Sequence, residues 1–127
     1  MIKDFIILNC IGKQDKIGLR INGNFYIHEL DYKINKNNQL VSNILNLVKK
    51  YKVNLDNKFS IIVNIGPGSF SSIRASISVA KGMKISKNIN LYAFKNTELK
   101  QFDLINIELL INQGRIQNKL IKPIYLS

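Results

Sequence analysis

The sequence predicts a mixed α/β fold in which an antiparallel three-stranded meander is followed by βαβ crossovers. Residues 2–31 hold three short apolar or alternating segments, which are typical of strands. Residues 39–94 then hold two segments with helical spacing, each followed by a short apolar segment, as in parallel strands joined by helices. The 127-residue chain, with 46% hydrophobic and 21% charged residues, has the composition of one folded domain and not of a disordered chain.

The meander is predicted from three consecutive patterns. Residues 2–11 form a mostly apolar run, which indicates a buried strand. Residues 16–22 alternate between apolar and polar, as in a half-buried strand. The Asn22-Gly23-Asn24 sequence favours a tight turn, and residues 25–31 are predicted as the returning strand.

A first helix is predicted from Gln39 to Tyr51, with the polar residues 35–38 at its start. Its apolar side chains fill an arc of about 160°, whereas a minimal core stripe needs about 100°. They are Leu40, Val41, Ile44, Leu45, Leu47, Val48 and Tyr51. The helix therefore either packs deeply on a sheet or serves both a core and a partner.

The second half of the predicted sheet comes from strands at 59–65 and 90–94, with a helix over 70–85 between them. Three strands, a helix, a strand, a helix and a strand is the element order of a single ribonuclease-H-like or actin-like ATPase (ASKHA) lobe, with a mixed five-stranded sheet and helices. After Asn96 the patterns are weaker. Residues 96–99 suit a short helix, residues 102–111 suit either a helix or a strand, and residues 120–126 are a terminal apolar segment.

The loop from Gly66 to Ser69 connects the strand predicted at 59–65 to the helix predicted at 70–85. It is the best candidate for binding an anion. Gly66 and Gly68 permit close backbone approach, Pro67 stiffens the turn, and Ser69 precedes a helix start with free N–H groups. Arg74 follows one turn later. The same pattern also fits a plain strand-to-helix turn with Ser69 or Ser71 as the cap.

Two catalytic motifs are excluded at this loop. A P-loop needs a Gly-Lys-Ser/Thr sequence, which does not follow Gly66, and a nucleophile elbow needs a second glycine two residues after Ser69. His28 is the only histidine and Cys10 the only cysteine, so neither a disulfide nor a usual zinc site is expected within the chain. We predict no catalytic residues and no metal site.

The second helix has apolar residues on two sides. Ile73, Ile77 and Ala80 form one stripe, and Ala75, Val79, Gly82 and Met83 form another, whose small residues suit close approach. Arg74, Ser78 and Lys81 share a third side. A helix with two apolar sides contacts two surfaces, of which one is the sheet and the other is either a neighbouring helix or a second protein.

The formal charge of +11 raises the possibility of direct RNA binding. The basic residues are mostly lysines spread along the chain, with three arginines, and Lys, Asn and Ile are abundant together. That combination is typical of a compositional bias, whereas nucleic-acid surfaces usually cluster arginine and aromatic residues. No leader or membrane-spanning run is evident, and a reduced cytoplasmic setting is expected.

The nine residues from Gly66 to Arg74 read GPGSFSSIR and resemble the GPGSFTGLR signature of the bacterial TsaB family, also called YeaZ, with six of nine positions identical. Three further segments fit the same family: Ala80-Lys81-Gly82, Thr97-Glu98-Leu99 and Pro123-Ile124-Tyr125-Leu126. The family usually carries a second lobe. The resemblance therefore implies a lobe over residues 1–100 and a remnant C-terminal segment over residues 101–127 packed on it, without a separate second domain.

The resemblance implies a non-catalytic scaffold. TsaB proteins pair with the catalytic protein TsaD in threonylcarbamoyladenosine modification of tRNA adenine 37, and the ATPase TsaE joins the cycle. By this resemblance the chain binds TsaD as a heterodimer, forms a homodimer when alone, and contacts tRNA mainly through the complex. The expected partner-binding residues lie on the two helices: Leu40, Ile44, Leu47, Tyr51, Ile73, Ile77 and Ala80.

Two departures from the family bear on nucleotide binding. Asn9-Cys10-Ile11 stands where the family has Asp-Thr-Ser, and Asn37-Asn38-Gln39 stands near the place of its His-Ser-Glu. No cofactor is therefore expected in the isolated chain, although the resemblance allows a nucleotide at the interface with TsaD. The alternative function is a stand-alone nucleotide- or phosphate-binding domain that uses the loop from Gly66 to Ser69.

Overall fold

The computed structural model of the protein describes residues 2–30, 36–119 and 121–124. The predicted strand end at Asp31, the start of the polar cap at residue 35, and Tyr125-Leu126 of the closing motif lie outside these residues. Within the described residues the elements in chain order are β1 (Asp4–Asn9), β2 (Lys16–Ile21), β3 (Asn24–Glu29), α1 (Lys36–Lys50), β4 (Phe59–Asn64), α2 (Phe70–Lys87), β5 (Asn90–Phe94), a 3-10 turn (Asn96–Glu98) and α3 (Leu104–Asn112).

The five strands form one mixed sheet in the order β3-β2-β1-β4-β5. β1 pairs antiparallel with β2, and β2 pairs antiparallel with β3, which gives the meander. β4 lies parallel to both β1 and β5, as expected when a helix connects successive strands. Ile6 at the sheet centre faces Leu19 on one side and Ile61 on the other. The predicted α/β fold class is confirmed.

One face of the sheet packs against α1 and α2. Alternate residues of β1 and β4 point to this face, since side chains alternate along a strand. The buried core here contains Ile6, Leu8, Ile61 and Val63 together with helix residues. Two buried serines of α2, Ser72 and Ser76, lie on the side of the helix that faces the sheet, and the Ser76 hydroxyl donates to the Ile73 carbonyl at 3.0 Å.

The opposite face of the sheet packs against α3. Phe5, Ile7, Ile62 and Phe94 form a second buried cluster with two residues of this helix, Ile107 and Leu110. By sequence, residues 102–111 fitted either a helix or a strand, and in the structure residues 104–112 form α3. The helix start is capped, because the Asp103 carboxylate accepts a hydrogen bond from the Asn106 N–H at 2.8 Å. Glu108 also lies 3.7 Å from Arg20 on β2.

One residue of the second apolar side predicted for α2 does not pack as expected. Gly82 is exposed, and a Cβ built at this position meets no atom of the described chain within 4 Å. The glycine therefore does not serve close packing within this lobe.

Across the described residues, no helix has the length and apolar character needed to cross a membrane.

Candidate interaction face and the glycine loop

The structure places five of the seven predicted partner-binding residues in the core. Their relative exposure is at most 5%, so the prediction that they form a surface patch is wrong; they are Leu40, Ile44, Ile73, Ile77 and Ala80. The physical reason is that both helices lie flat on the sheet and use the centre of their apolar faces to cover it. The other two residues, Leu47 and Tyr51, are partly buried against the same core. Tyr51 also stacks on Tyr26 of β3, with ring centroids 4.0 Å apart.

The apolar surface of the helix layer is formed by neighbours of the predicted residues. Val41 and Leu45 on α1 are 42% and 55% exposed, and Phe70 at the start of α2 is 54% exposed. Val41 and Leu45 belong to the arc that the sequence predicted for α1, but they occupy its edge. Phe70 lies within the glycine-loop signature, and the helical pattern of the sequence did not indicate that it would be exposed.

A shallow groove runs along this surface between α1 and α2. Val41 lines it from α1, and the rest of its lining comes from α2: Phe70, Ser71, Arg74, Ala75, Ser78 and Val79. The Arg74 guanidinium lies over the Phe70 ring, 5.6 Å from its centroid, which is within cation–π distance. We refer to these lining residues together with Leu45 as the helix face.

The predicted phosphate-binding loop is packed against the rest of the chain. A Cβ built on Gly66 would meet the Ile124 carbonyl oxygen and the Ile73 side chain, and one built on Gly68 would meet Ile11. The Ser69 N–H donates to the Ile11 carbonyl at 2.8 Å. Gly66 and Gly68 are buried, whereas Pro67 and Ser69 are partly exposed. The small size of the two glycines therefore accommodates the chain's own segments.

Arg74 does not lie in that loop's packing but on the helix face, so the structure separates it from the other predicted loop residues. Residues 66–68 contact the segment after β1 and the segment at Ile124, while Arg74 contacts Phe70 on the outer side of α2. The Gly66–Pro67 peptide bond is cis. The five residues were predicted to form one site because they are close along the chain.

Three asparagines meet where β1, β4 and β5 end. The Asn64 side-chain N–H₂ donates to the Asn9 oxygen at 2.7 Å and to the Asn96 oxygen at 3.1 Å. The Asn64 oxygen in turn accepts from the Gly66 N–H at 2.8 Å, and Asn64 is fully buried. Ligands of open α/β sheets bind at this edge. In this chain, neutral amides bonded to one another occupy that position on β1 and β4.

The described residues contain no group of three or more His, Cys, Asp or Glu side chains placed to hold a metal ion. His28 is exposed on β3, which two strands separate from β4, and Cys10 is buried within the core that packs against α1 and α2. The arrangement at the sheet edge is one of hydrogen-bonded amides and packed glycines.

The sheet order, the meander and the two crossover helices define a ribonuclease-H-like or actin-like lobe. The structure is similar to YeaZ from Pseudomonas aeruginosa, with a TM-score of 0.68 and 18% sequence identity over 88% of this chain. It is also similar to an uncharacterized protein with similarity to peptidase YeaZ from the same organism, with a TM-score of 0.66 and 18% identity. The resemblance predicted from the glycine-loop signature is thus confirmed at the level of the fold.

The chain spans about half the length of the two solved structures, since the match covers 50% of each. Comparison with family models gives no match, and comparison with curated proteins gives none either. The likeness therefore shows the fold.

Proposed function

We propose that the chain is a TsaB-like scaffold subunit that binds TsaD through the helix face and supports threonylcarbamoyladenosine modification of tRNA adenine 37. The observation that supports this most is the exposed groove between α1 and α2. Exposed apolar side chains that lie together on a protein surface mark an interaction site. Val41, Leu45 and Phe70 supply the large apolar side chains of this surface.

The role that we propose is non-catalytic. The edge of the sheet where actin-like proteins bind nucleotide carries Asn9 and Asn64 bonded to each other. Amides lack the negative charge with which carboxylates hold the divalent cation of a bound nucleotide. Within this proposal the isolated chain takes no cofactor, any nucleotide sits at the interface with TsaD, TsaE acts on the assembled complex, and tRNA is contacted mainly through the complex.

The alternative, a stand-alone nucleotide- or phosphate-binding domain, has less support. Its ligand would need the space beside Gly66 and Gly68. The side chains of Ile11 and Ile73 and the backbone of Ile124 already fill that space.

The test is calorimetric titration of the chain with its cognate TsaD. Leu45→Asp places a charge on the α1 side of the helix face and is expected to weaken binding by at least about tenfold, because a desolvated, unpaired charge at an interface costs well over 1.4 kcal/mol. Ile105→Asp on α3 is the matched control, since Ile105 is 74% exposed on the opposite side of the sheet. Circular dichroism establishes that both variants are folded.

Two results would count against the proposal. One is that the wild-type chain fails to bind TsaD. The other is that folded Leu45→Asp binds TsaD as tightly as the wild type, whereas folded Ile105→Asp binds it more weakly.

A further inference from the structure

We infer that the outer edge of β3 pairs with the same edge of a second copy of this chain, so that the two sheets join into one continuous sheet. The inference goes beyond the proposed function, because this edge of the sheet is separate from the helix face and neither contact depends on the other. It is carried by the backbone and side chains of Asn24–Glu29.

The two ends of the sheet differ in how they are covered. At one end, the Ala93 N–H of β5 donates to the Gln117 carbonyl at 2.7 Å, and the Gln117 N–H donates back at 2.9 Å. At the other end, no strand of the described residues pairs with the outer edge of β3. An uncovered strand edge presents a row of N–H and C=O groups to which another strand can bind.

The hairpin turn determines which backbone groups of β3 face outward. Asn22 and Gly23 have positive φ angles of 51° and 82°, as in the type I′ turn of a two-residue hairpin. The two residues that flank such a turn, here Ile21 and Asn24, bond to each other, and every second residue along the strand then does the same. The even-numbered residues of β3 therefore direct their N–H and C=O groups toward β2.

The residue after the strand follows the same rule, since the Leu30 N–H donates to the Asp15 carbonyl at 3.0 Å. The odd-numbered residues Phe25, Ile27 and Glu29 must then direct their backbone groups away from β2. These three residues supply the donors and acceptors of the open edge.

β3 also lacks the features with which edge strands usually avoid pairing, namely lysine, proline and a bulge. Its six residues include neither lysine nor proline, and all six pair with β2 in unbroken register. The Ile27 side chain at the middle of the strand is 48% exposed. Its neighbour on β2 is Gly18, which has no side chain to cover it.

A second copy fits this edge best in one register. A two-fold axis at Ile27 sets this residue opposite Ile27 of the second copy and sets Phe25 opposite Glu29. All three outward-facing residues then form hydrogen-bonded pairs, with about six bonds between the copies. A shift by one residue would set outward groups opposite inward ones, and a shift by two would move one of the three pairs beyond the strand.

The side chains are compatible in this register. On the face of the sheet that carries α3, the exposed Ile27 side chains of the two copies contact each other and leave solvent. On the face that carries α1, Tyr26 lies opposite His28 of the second copy. Apolar and aromatic cross-strand pairs of this kind stabilise a sheet. No like charges lie opposite each other, because Glu29 faces Phe25.

Charge also favours this edge as the place where two copies meet. The net charge of +11 makes copies of the chain repel each other over most of their surface. Residues 21–32 contain no lysine or arginine and include two carboxylates, Glu29 and Asp31. The repulsion is therefore low where the two β3 edges come together.

The first test is disulfide cross-linking of cysteine variants under mild oxidation with copper phenanthroline, read by non-reducing electrophoresis. In the inferred register the two Cα atoms at position 27 lie about 5.5 Å apart, which a disulfide can span, so Ile27→Cys is expected to form a cross-linked dimer. Glu29→Cys is the matched control on the same strand, because its two Cα atoms lie about 14 Å apart and cannot be bridged. Cys10 is buried and does not compete.

The outcomes of this test are distinct. Failure of Ile27→Cys to cross-link, or equal cross-linking of the two variants, would overturn the inference. The experiment is repeated with Leu45→Asp added to each variant, which disrupts any contact between copies through the helix face. The cross-link at position 27 is expected to persist, and its loss would mean that the copies meet through the helix face and not through β3.

The second test is sedimentation equilibrium of the Leu45→Asp chain, with circular dichroism to establish that each variant is folded. Adding Ile27→Lys is expected to raise the dissociation constant of the dimer at least about tenfold, because two ammonium groups would meet at the axis. Adding Ile105→Lys is the control, since it gives the same charge at a site on α3 that is 74% exposed. It is expected to change the constant less than about twofold. Equal effects of the two lysines, or a Leu45→Asp chain that is monomeric at every concentration, would overturn the inference.

Discussion

At the scale of single residues, Asn64 determines how the sheet edge is built. Its side chain bonds to Asn9, to Asn96 and to the Gly66 N–H, so that one amide joins the ends of two strands, the glycine loop and the segment after β5. The sequence indicated that Asn9 replaces an acid, but nothing in the pattern predicted its partner 55 positions away. Such a bond depends on sheet register, which a local pattern does not contain.

We predict that Asn64→Ala lowers the free energy of unfolding by about 2–3 kcal/mol, because it leaves buried polar groups without partners. Urea denaturation followed by circular dichroism measures the change. Asn54→Ala is the control: Asn54 is exposed, and its replacement is expected to cost less than about 0.5 kcal/mol. Similar losses for the two variants would show that the amide network adds no stability.

At the scale of elements, α1 shows how far a helical pattern predicts function. The predicted apolar arc of about 160° is present on α1, but its residues fall into two groups. The part used for the core contains Leu40, Ile44 and the partly buried Leu47, and the remaining edge presents Val41 and Leu45 to solvent. The excess over a core stripe correctly indicated that part of the arc would lie outside the core. Periodicity alone did not indicate which edge was in excess, since that depends on how the helix is rotated on the sheet.

For α3, we predict that replacing a buried leucine and replacing an exposed one have different effects on stability. Leu110 is fully buried against Phe5 and Phe94, whereas its neighbour Leu109 is 44% exposed. Leu110→Ala is expected to cost about 2–5 kcal/mol of stability through the cavity that it leaves. Leu109→Ala is expected to cost less than about 1 kcal/mol. Chemical denaturation of both variants checks this, and equal effects would mean that α3 does not stabilise the lobe.

At the scale of the whole molecule, the order of apolar segments along the chain was sufficient to predict the sheet. Parallel strands need a crossover, and β4 occupies the edge of β1 that the meander at residues 4–29 leaves free. The surface could not be predicted in the same way. That α1 and α2 carry basic and no acidic residues becomes visible only when the charges are placed on the fold, where the acids of the described residues lie on strands, loops, the 3-10 turn and α3.

Hydrogen–deuterium exchange of the chain with and without its cognate TsaD tests the central claim most directly. The account predicts slower exchange of backbone amides around residues 41–45 and 70–79 in the complex, with the amides of α3 unchanged, because the helix face is covered and the opposite side of the sheet is not. Protection confined to α3 or to the glycine loop, or no protection at saturating TsaD, would contradict it.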